Sequence, residues 1–325
     1  MKGEEAVYAS VDLGGTNVEC ALARSDGQIL RSGKVLTCSH EGPAGVLKRI
    51  TDLTRRLAVE LGTEPVALGL GVPGLADLKS GSTRFLPNLP THWRDVPVAE
   101  ILSPGVGCPV YLLNDVRMAT LGELVFGHGR ASRTMAFFAL GTGIGGGIVI
   151  EGRLRLGPLG AAGELGHQTI LPDGPRCGCG NYGCLEALAS GPALSAEGVR
   201  LLLSGQAPEL HKLVRGDASA VTPSEMAAAA EAGDLTVREA ITRTARFLGI
   251  AAANVITILH PDLIVFGGGV AAIGNLLLDT VRKTVRERVG MLPVDDIRIE
   301  PSLLGDRAGI MGGVALAMKG GFSGI

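Results

Sequence analysis

A pattern that occurs twice limits the fold more than any other feature of this chain. Near the start, Val7 to Leu13 reads as a buried strand, followed by Gly14, Gly15, Thr16 and Asn17 as a turn. Val18 to Ala23 returns as a second strand, Asp26-Gly27 is a hairpin signal, and Ile29 to Val35 gives a third strand. The same order recurs later. Met135 to Leu140 is a strand, Gly141-Thr142-Gly143-Ile144-Gly145 a turn, Gly146 to Ile150 a strand, Glu151-Gly152 a hairpin turn, and Arg153 to Leu156 starts a third strand. Any two glycine-turn hairpins look somewhat alike, but here five features follow in one order. The echo implies a duplicated α/β domain, one copy in each half.

Between the meanders, Val46, Ile50, Leu53, Leu57 and Leu61 recur at helical spacing before Gly62. Val66 to Val72 is a strand ending in Gly-Val-Pro-Gly, and Leu75 to Pro109 reads as loops and short pieces. Val110 to Leu113 is a strand with Asn114-Asp115 at its carboxyl end, and Val116 to Phe126 is a helix. Further on, Thr222 with Glu225 and Thr236 with Glu239 read as capping boxes, the second opening a long helix to about Leu259. Leu263 to Phe266 is a strand that runs through Gly267, Gly268 and Gly269 into another helix; a short strand at Ile297 to Ile299 and a helix from Arg307 to Lys319 follow.

Composition excludes several function classes. No apolar run reaches the ~18 residues that span a bilayer, and the start MKGEEAVYASVDLGG lacks the charge pattern of a secretion signal. The expectation is a soluble cytoplasmic protein without membrane contact. Net charge is −2 with no basic stripe, and aromatics are 3%, so nucleic acid is not an expected partner. The 49 glycines cluster in turns after apolar runs, as in α/β proteins with backbone-lined ligand sites.

The stretch from Glu164 to Glu186 holds four candidate metal ligands, His167, Cys177, Cys179 and Cys184. A Cys3His set suits tetrahedral Zn²⁺, and four protein ligands leave no position for an activated water, so the metal is expected to be structural. The glycines at 178, 180 and 183 let a short loop fold round an ion. One disulfide plus a spare thiol is the alternative, and the Cys-x-Cys spacing disfavours it. Glu164 and Glu186 flank the ligands and read either as binding carboxylates or as loop caps.

Three glycine-rich strand ends, at Gly14, Gly141 and Gly267, could present backbone N–H groups to phosphates. Neither a P-loop nor a Rossmann fingerprint is present. Together the three suggest a nucleotide phosphate chain held by two domains. Asp12, just before the first turn, is a candidate Mg²⁺ ligand or a strand-end cap. Asp115, where a strand gives way to a helix, is a general base for a hydroxyl nucleophile or simply an N-cap; the local sequence supports both equally.

In order along the chain stand Asp-Leu-Gly-Gly-Thr-Asn, Asn-Asp, Gly-Thr-Gly-Ile-Gly-Gly-Gly, Glu-Leu-Gly-His and Cys-Gly-Cys-Gly-Asn-Tyr-Gly-Cys-Leu-Glu. This series resembles the ROK family of repressors and sugar kinases over essentially the whole chain, and is most similar to its bacterial glucokinases. The resemblance implies an actin-like, ribonuclease-H-like fold of two α/β domains with ATP in the cleft. The corresponding division is 1–114 plus about 303–325 as a small domain, and 115–302 as a large one. By that likeness Asp115 is the catalytic base that activates the C6 hydroxyl of a hexose. Gly74, Asn88, Asn114, Glu164, His167 and Glu186 are sugar-side residues. Asp12, Gly14, Gly15, Thr16, Asn17, Gly141, Thr142 and Gly143 serve the phosphates and Mg²⁺, and Gly267, Gly268 and Gly269 the adenosine. The family often has Asn-Leu-Pro-Gly-Trp; here Asn88 to Trp93 is one residue longer. A kinase of N-acetylmannosamine or another hexose is the alternative on the same scaffold, and a non-catalytic sugar-binding regulator a distant one. A repressor would carry an N-terminal helix-turn-helix, for which the first turn at Gly14 leaves no room. A homo-oligomer, dimer or tetramer, is expected. The zinc loop is expected to organise the sugar side and to leave the nucleotide turns largely unaffected.

Overall fold

A computed structural model describes residues 6–86, 89 and 93–321. Asn88 and most of the longer loop before Trp93 lie outside the described residues. The chain begins β1 (Val7–Leu13), β2 (Asn17–Arg24), β3 (Ile29–Leu36), α1 (Gly42–Leu61), β4 (Ala67–Val72), β5 (Leu75–Asp77), β6 (Ser82–Phe85), α2 (Val98–Val106), β7 (Val110–Asn114) and α3 (Asp115–Phe126). It continues β8 (Met135–Leu140), β9 (Ile144–Ile150), β10 (Arg153–Leu154), α4 (Leu185–Ala189), α5 (Gly191–Leu203), α6 (Pro208–Val214), α7 (Pro223–Glu231) and α8 (Leu235–Leu259). The last elements are β11 (Leu263–Gly267), α9 (Asn275–Arg288), β12 (Arg298–Pro301) and α10 (Ala308–Met318).

The duplication is visible in strand order. One five-stranded sheet runs β3-β2-β1-β4-β7 and the other β10-β9-β8-β11-β12. In each, the hairpin-connected strands come first and two later strands add beside the first strand of the meander. β1, β4 and β7 are parallel, as are β8, β11 and β12. β4 and β11 are buried along their whole length, which is why they read as continuous small and apolar runs rather than alternating ones.

Local chemistry explains the helix ends. α1 buries Val46, Leu47, Ile50, Leu53 and Leu57 on one face and stops at Gly62, whose φ of 74° lets its N–H return to the Ala58 and Val59 carbonyls. The cap of α8 differs from the expected one. Asp234, not Thr236, accepts from Val237 N, and the Thr236 hydroxyl bonds the Gln206 carbonyl and Asp234. At α7 the Thr222 hydroxyl donates to the Glu225 carboxylate instead of capping a backbone N–H. The stretch from Leu75 to Pro109 holds the β5–β6 ribbon and the helix α2, which contains Pro104.

The chain divides into two compact units. The first comprises Met1–Ala131, Ile148–Ala162 and Asp306–Ile325, the second Ser132–Gly147 and Gly163–Gly305. The sequence division cut the chain after Asn114. In the structure α3 stays with the first unit, because it packs closely on α10: a Cβ at Gly122 would lie 2.3 Å from the Ala308 carbonyl, and one at Gly312 would lie 1.7 Å from that of Met118. Among the described residues no helix is long and apolar enough to cross a membrane.

Candidate active site and metal centre

In the first unit the parallel strands β1, β4 and β7 bring Asp12, Gly74, Asn114 and Asp115 to their carboxyl ends. Asp12 stands opposite Gly71 on β4 and opposite Glu19 on β2. Its carboxylate lies against glycines on both sides: a Cβ at Gly309 would come within 2.8 Å of Oδ2, and one at Gly71 within 3.4 Å of Oδ1. Burial, then the Asp115 and Glu19 carboxylates, push Asp12 up to about 7. A divalent cation here would relieve that mutual repulsion, so the donor set fits Mg²⁺.

The ambiguity at Asp115 is resolved in part by the helix start. Asn114 is the N-cap of α3: its Oδ1 accepts from Val116 N and Arg117 N at 3.1 Å each. Asp115 is the first helical residue, and its Oδ1 accepts from Asn114 Nδ2 at 2.9 Å and Val116 N at 2.8 Å. The capping duty is therefore taken, and Asp115 is held as an oriented carboxylate at a helix N-terminus. Asn114 Nδ2 also donates to the Gly74 carbonyl at 3.1 Å. Gly74, at φ 149°, leaves no room for a side chain, since a Cβ would sit 2.2 Å from the Phe85 carbonyl.

Arg117 is the residue that sequence reasoning missed. It is 2% exposed and donates from Nη1 to Asn114 Oδ1, from Nε to the Ala162 carbonyl and from Nη2 to the Ala161 carbonyl, at 2.9–3.1 Å. Its one signal was placement beside Met118 and Leu121 on the apolar side of α3, where a charge needs fixed partners.

The first glycine turn is closed by Gly14 N to the Asn17 carbonyl at 2.9 Å, with Thr37 bonding Thr16 and Gly14. Gly15 and Thr16 on it are exposed. Neither Gly14 nor Gly15 has positive φ. The Gly14 N–H is spent on closing the turn, and a Cβ at Gly14 would lie 3.0 Å from the Asn17 carbonyl oxygen.

In the second unit the four predicted ligands do come together. The ligand atoms of His167, Cys177, Cys179 and Cys184 all lie within 4.8 Å of one another. Cys179 Sγ and Cys184 Sγ are 3.7 Å apart, as are Cys177 Sγ and His167 Nδ1. Zn–S bonds of about 2.3 Å in a tetrahedron put sulfurs about 3.8 Å apart. The three cysteines are free thiols, and burial with its neighbouring thiols pushes Cys184 up to about 12. A divalent cation would be what holds such sulfurs as thiolates. The donors, distances and reduced state fit Zn²⁺. Of the loop glycines, 180 and 183 have positive φ while Gly178 does not; a Cβ at Gly183 would meet the Leu171 carbonyl at 1.5 Å.

His167 closes a 3₁₀ turn that Glu164 precedes, and Glu164 is exposed. Glu186 lies on α4, two residues beyond Cys184. Its Oε2 accepts from Ile144 N at 2.9 Å, directly on the second glycine turn with Gly141, Thr142 and Gly143. Gly268, at φ 86°, packs on the same strand end, where a Cβ would lie 2.4 Å from the Leu140 carbonyl. Gly267, Gly268 and Gly269 thus neighbour the second turn, but a 3₁₀ turn at Ala271–Ile273 intervenes before α9 at Asn275, so no helix opens directly on them.

Strand order, the two glycine turns and the Cys3His cluster agree with a match of the ROK family model to residues 8–320. The chain belongs to the ROK family. It is 35% identical over 309 residues to a glucokinase of Thermotoga maritima, covering 94% of this chain and 95% of that one. A solved ROK family glucokinase from Streptomyces griseus, in complex with glucose and AMPPNP, superposes with a TM-score of 0.84 at 32% identity, covering 96% and 99% of the two chains. A xylose repressor of Caldicellulosiruptor bescii is 30% identical, covering 95% of this chain and 77% of the repressor. The architecture of this ROK chain is the actin-like α/β fold expected from its sequence.

Proposed function

We propose that this ROK protein is an ATP-dependent sugar kinase that phosphorylates the C6 hydroxyl of a hexose, with glucose as its substrate. The observation that carries the reading is the held carboxylate of Asp115, oriented by Asn114 and Val116 N while Asn114 does the capping. The glucokinases among its relatives support it. Asp115 accepts the proton as the C6 oxygen forms its bond to the γ-phosphorus, and the bond from that phosphorus to the bridging oxygen of ADP breaks. Asn114, Glu164, His167 and Glu186 bind and orient the sugar hydroxyls, with Gly74 shaping the backbone beside them. Backbone N–H groups of the turns at Gly14–Asn17 and Gly141–Gly143 bind phosphate oxygens. Gly267, Gly268 and Gly269 accommodate the adenosine. Asp12 would hold Mg²⁺, which supplies charge neutralisation on the phosphates when bound. His167, Cys177, Cys179 and Cys184 would hold Zn²⁺, which orders the loop.

The test is a coupled assay with ATP across glucose, mannose, fructose, allose, N-acetylglucosamine and N-acetylmannosamine. The carboxylates and His167 suit free vicinal hydroxyls, so kcat/KM for glucose is expected to exceed that for N-acetylmannosamine by at least about 10-fold. Equal or reversed values would replace glucose with the amino sugar and keep the kinase. No turnover of any sugar would remove the kinase reading and favour a sugar-binding regulator.

A further inference from the structure

The metal loop and the second glycine turn are physically joined, which their separation in sequence concealed. Cys184 is the N-cap of α4, and Glu186 is the second residue of that helix. Glu186 Oε2 accepts from Ile144 N at 2.9 Å, while Oε1 lies 3.7 Å from Cys177 Sγ. Beyond the other end of α4, Gly191 N donates to the Gly141 carbonyl at 2.8 Å. The segment that starts at a metal-ligand cysteine therefore grips both ends of the Gly141–Ile144 turn. The contact is close: a Cβ at Gly143 would sit 2.5 Å from Glu186 Oε2, and one at Gly191 3.0 Å from the Gly141 oxygen.

α4 is only five residues long. A helix that short has no stability of its own. Its position depends on what holds Cys184 before it and on the packing after it. Glycine turns lose the most conformational freedom on ordering, so a charge-assisted hydrogen bond to Ile144 N is a large part of what selects one shape.

We propose that Glu186 is a positioning residue for the Gly141–Ile144 turn, and that through it occupancy of the Cys3His site sets the affinity for nucleotide phosphates. The proposal rests on the reading of that turn as a phosphate binder. It departs from the expectation that the nucleotide turns are largely unaffected by the metal.

The experiment uses the full-length zinc-loaded protein, the same protein stripped by chelator and then resupplied with Zn²⁺, and the variants Cys179→Ser, Glu186→Ala and Glu186→Gln. Two quantities are read on each: amide hydrogen exchange at Ile144 and Gly191 by NMR, and ADP affinity by calorimetry. Stripping is expected to speed Ile144 exchange by about 10-fold or more and weaken ADP binding by about 10–100-fold, the range typical of lost outer-shell support. Zn²⁺ restores both. Cys179→Ser behaves like the stripped protein. Glu186→Ala shows the same two losses with zinc content retained, whereas Glu186→Gln, whose amide oxygen still accepts from Ile144 N, recovers most of them. If Cys179→Ser does not fold, stripping and Glu186→Ala decide. Unchanged Ile144 exchange and ADP affinity in stripped, folded protein overturns the proposal. If the zinc-loaded protein binds no ADP, the phosphate reading of the turn fails by itself, and the exchange at Ile144 still decides the coupling.

Discussion

Under the proposed mechanism, changing Asp115 to Asn keeps the side chain's shape and removes the charge that takes the proton. Asp115→Asn is expected to lower kcat by about 10²–10⁴-fold with sugar binding largely kept; turnover within a few-fold of the parent would remove Asp115 from that role. Its neighbour Asp12 makes a separate statement about pH. The folded value of about 7 lies above the ordinary 3.8, because of burial and the nearby Asp115 and Glu19. The folded chain therefore holds this proton where the unfolded chain has released it. Stability from this group is fully present below about pH 4, is lost as pH rises towards 7, and is level beyond that. Asp12→Asn cannot titrate, so it should gain on the parent at pH 8 and lose that advantage at pH 4, read as urea midpoints without Mg²⁺ or nucleotide. Arg117 was easily passed over in sequence, despite its place beside Met118 and Leu121, because an arginine on a helix usually faces water. Here it gives three hydrogen bonds to Asn114, Ala161 and Ala162. Lysine cannot span that fork, and Arg117→Lys should cost about 2 kcal/mol or more, with each bond from a charged group worth ~1.5–3 kcal/mol. Equal urea melts of the variant and parent would count against this clamp. By contrast the clustering of His167, Cys177, Cys179 and Cys184 was legible in advance, since a Cys3His set is chemically particular and closely spaced.

At the scale of elements, the strands were read more accurately than the helix starts and the connections. β1, β4, β7, β8 and β11 announce themselves as apolar runs bounded by glycine or proline. α2 was lost among turn residues because Pro104 lies inside it. The cap of α8 was misplaced because Thr236 with Glu239 mimics a capping box, while Asp234 makes the bond. The α3–α10 contact could not be read at all: it depends on Gly122 and Gly312 meeting backbone across a long sequence separation. That contact yields a prediction of unusual sign. Gly→Ala within a helix is ordinarily favourable by up to ~1 kcal/mol. Gly312→Ala should instead destabilise by about 1–3 kcal/mol or more, because its Cβ would overlap the Met118 carbonyl and force the helices apart. Gly178→Ala is the control, with nothing within 4 Å and no positive φ, and should stay within about 0.5 kcal/mol. Thermal melts of both variants against the parent measure the difference, and an equally stable Gly312→Ala would contradict the close approach.

For the whole molecule, the two units are interleaved along the chain. The first is assembled from three segments, and its last segment carries α10. The repeated meander made the duplication readable, but nothing local tells a C-terminal helix to return to the first sheet. α10 packs on β1, β4 and α3 and is buried from Ala308 to Ala317, all round rather than on one face. A helix apolar on every side cannot remain in water by itself. Ile310, Met311, Val314 and Leu316 are each 7% exposed or less. At ~1.5–3 kcal/mol per buried side chain, these four contribute about 6–12 kcal/mol. That is comparable to the ~5–15 kcal/mol net stability of an entire domain. A chain ended at Gly305 should therefore lose the first unit while keeping the proposed zinc ligands His167, Cys177, Cys179 and Cys184, which lie in the second. The expected signature in the truncated protein is zinc near one per chain, together with loss of protected amides in β1, β4 and β7. A truncated chain in which those strands keep native protection would show that the first unit closes its core without α10.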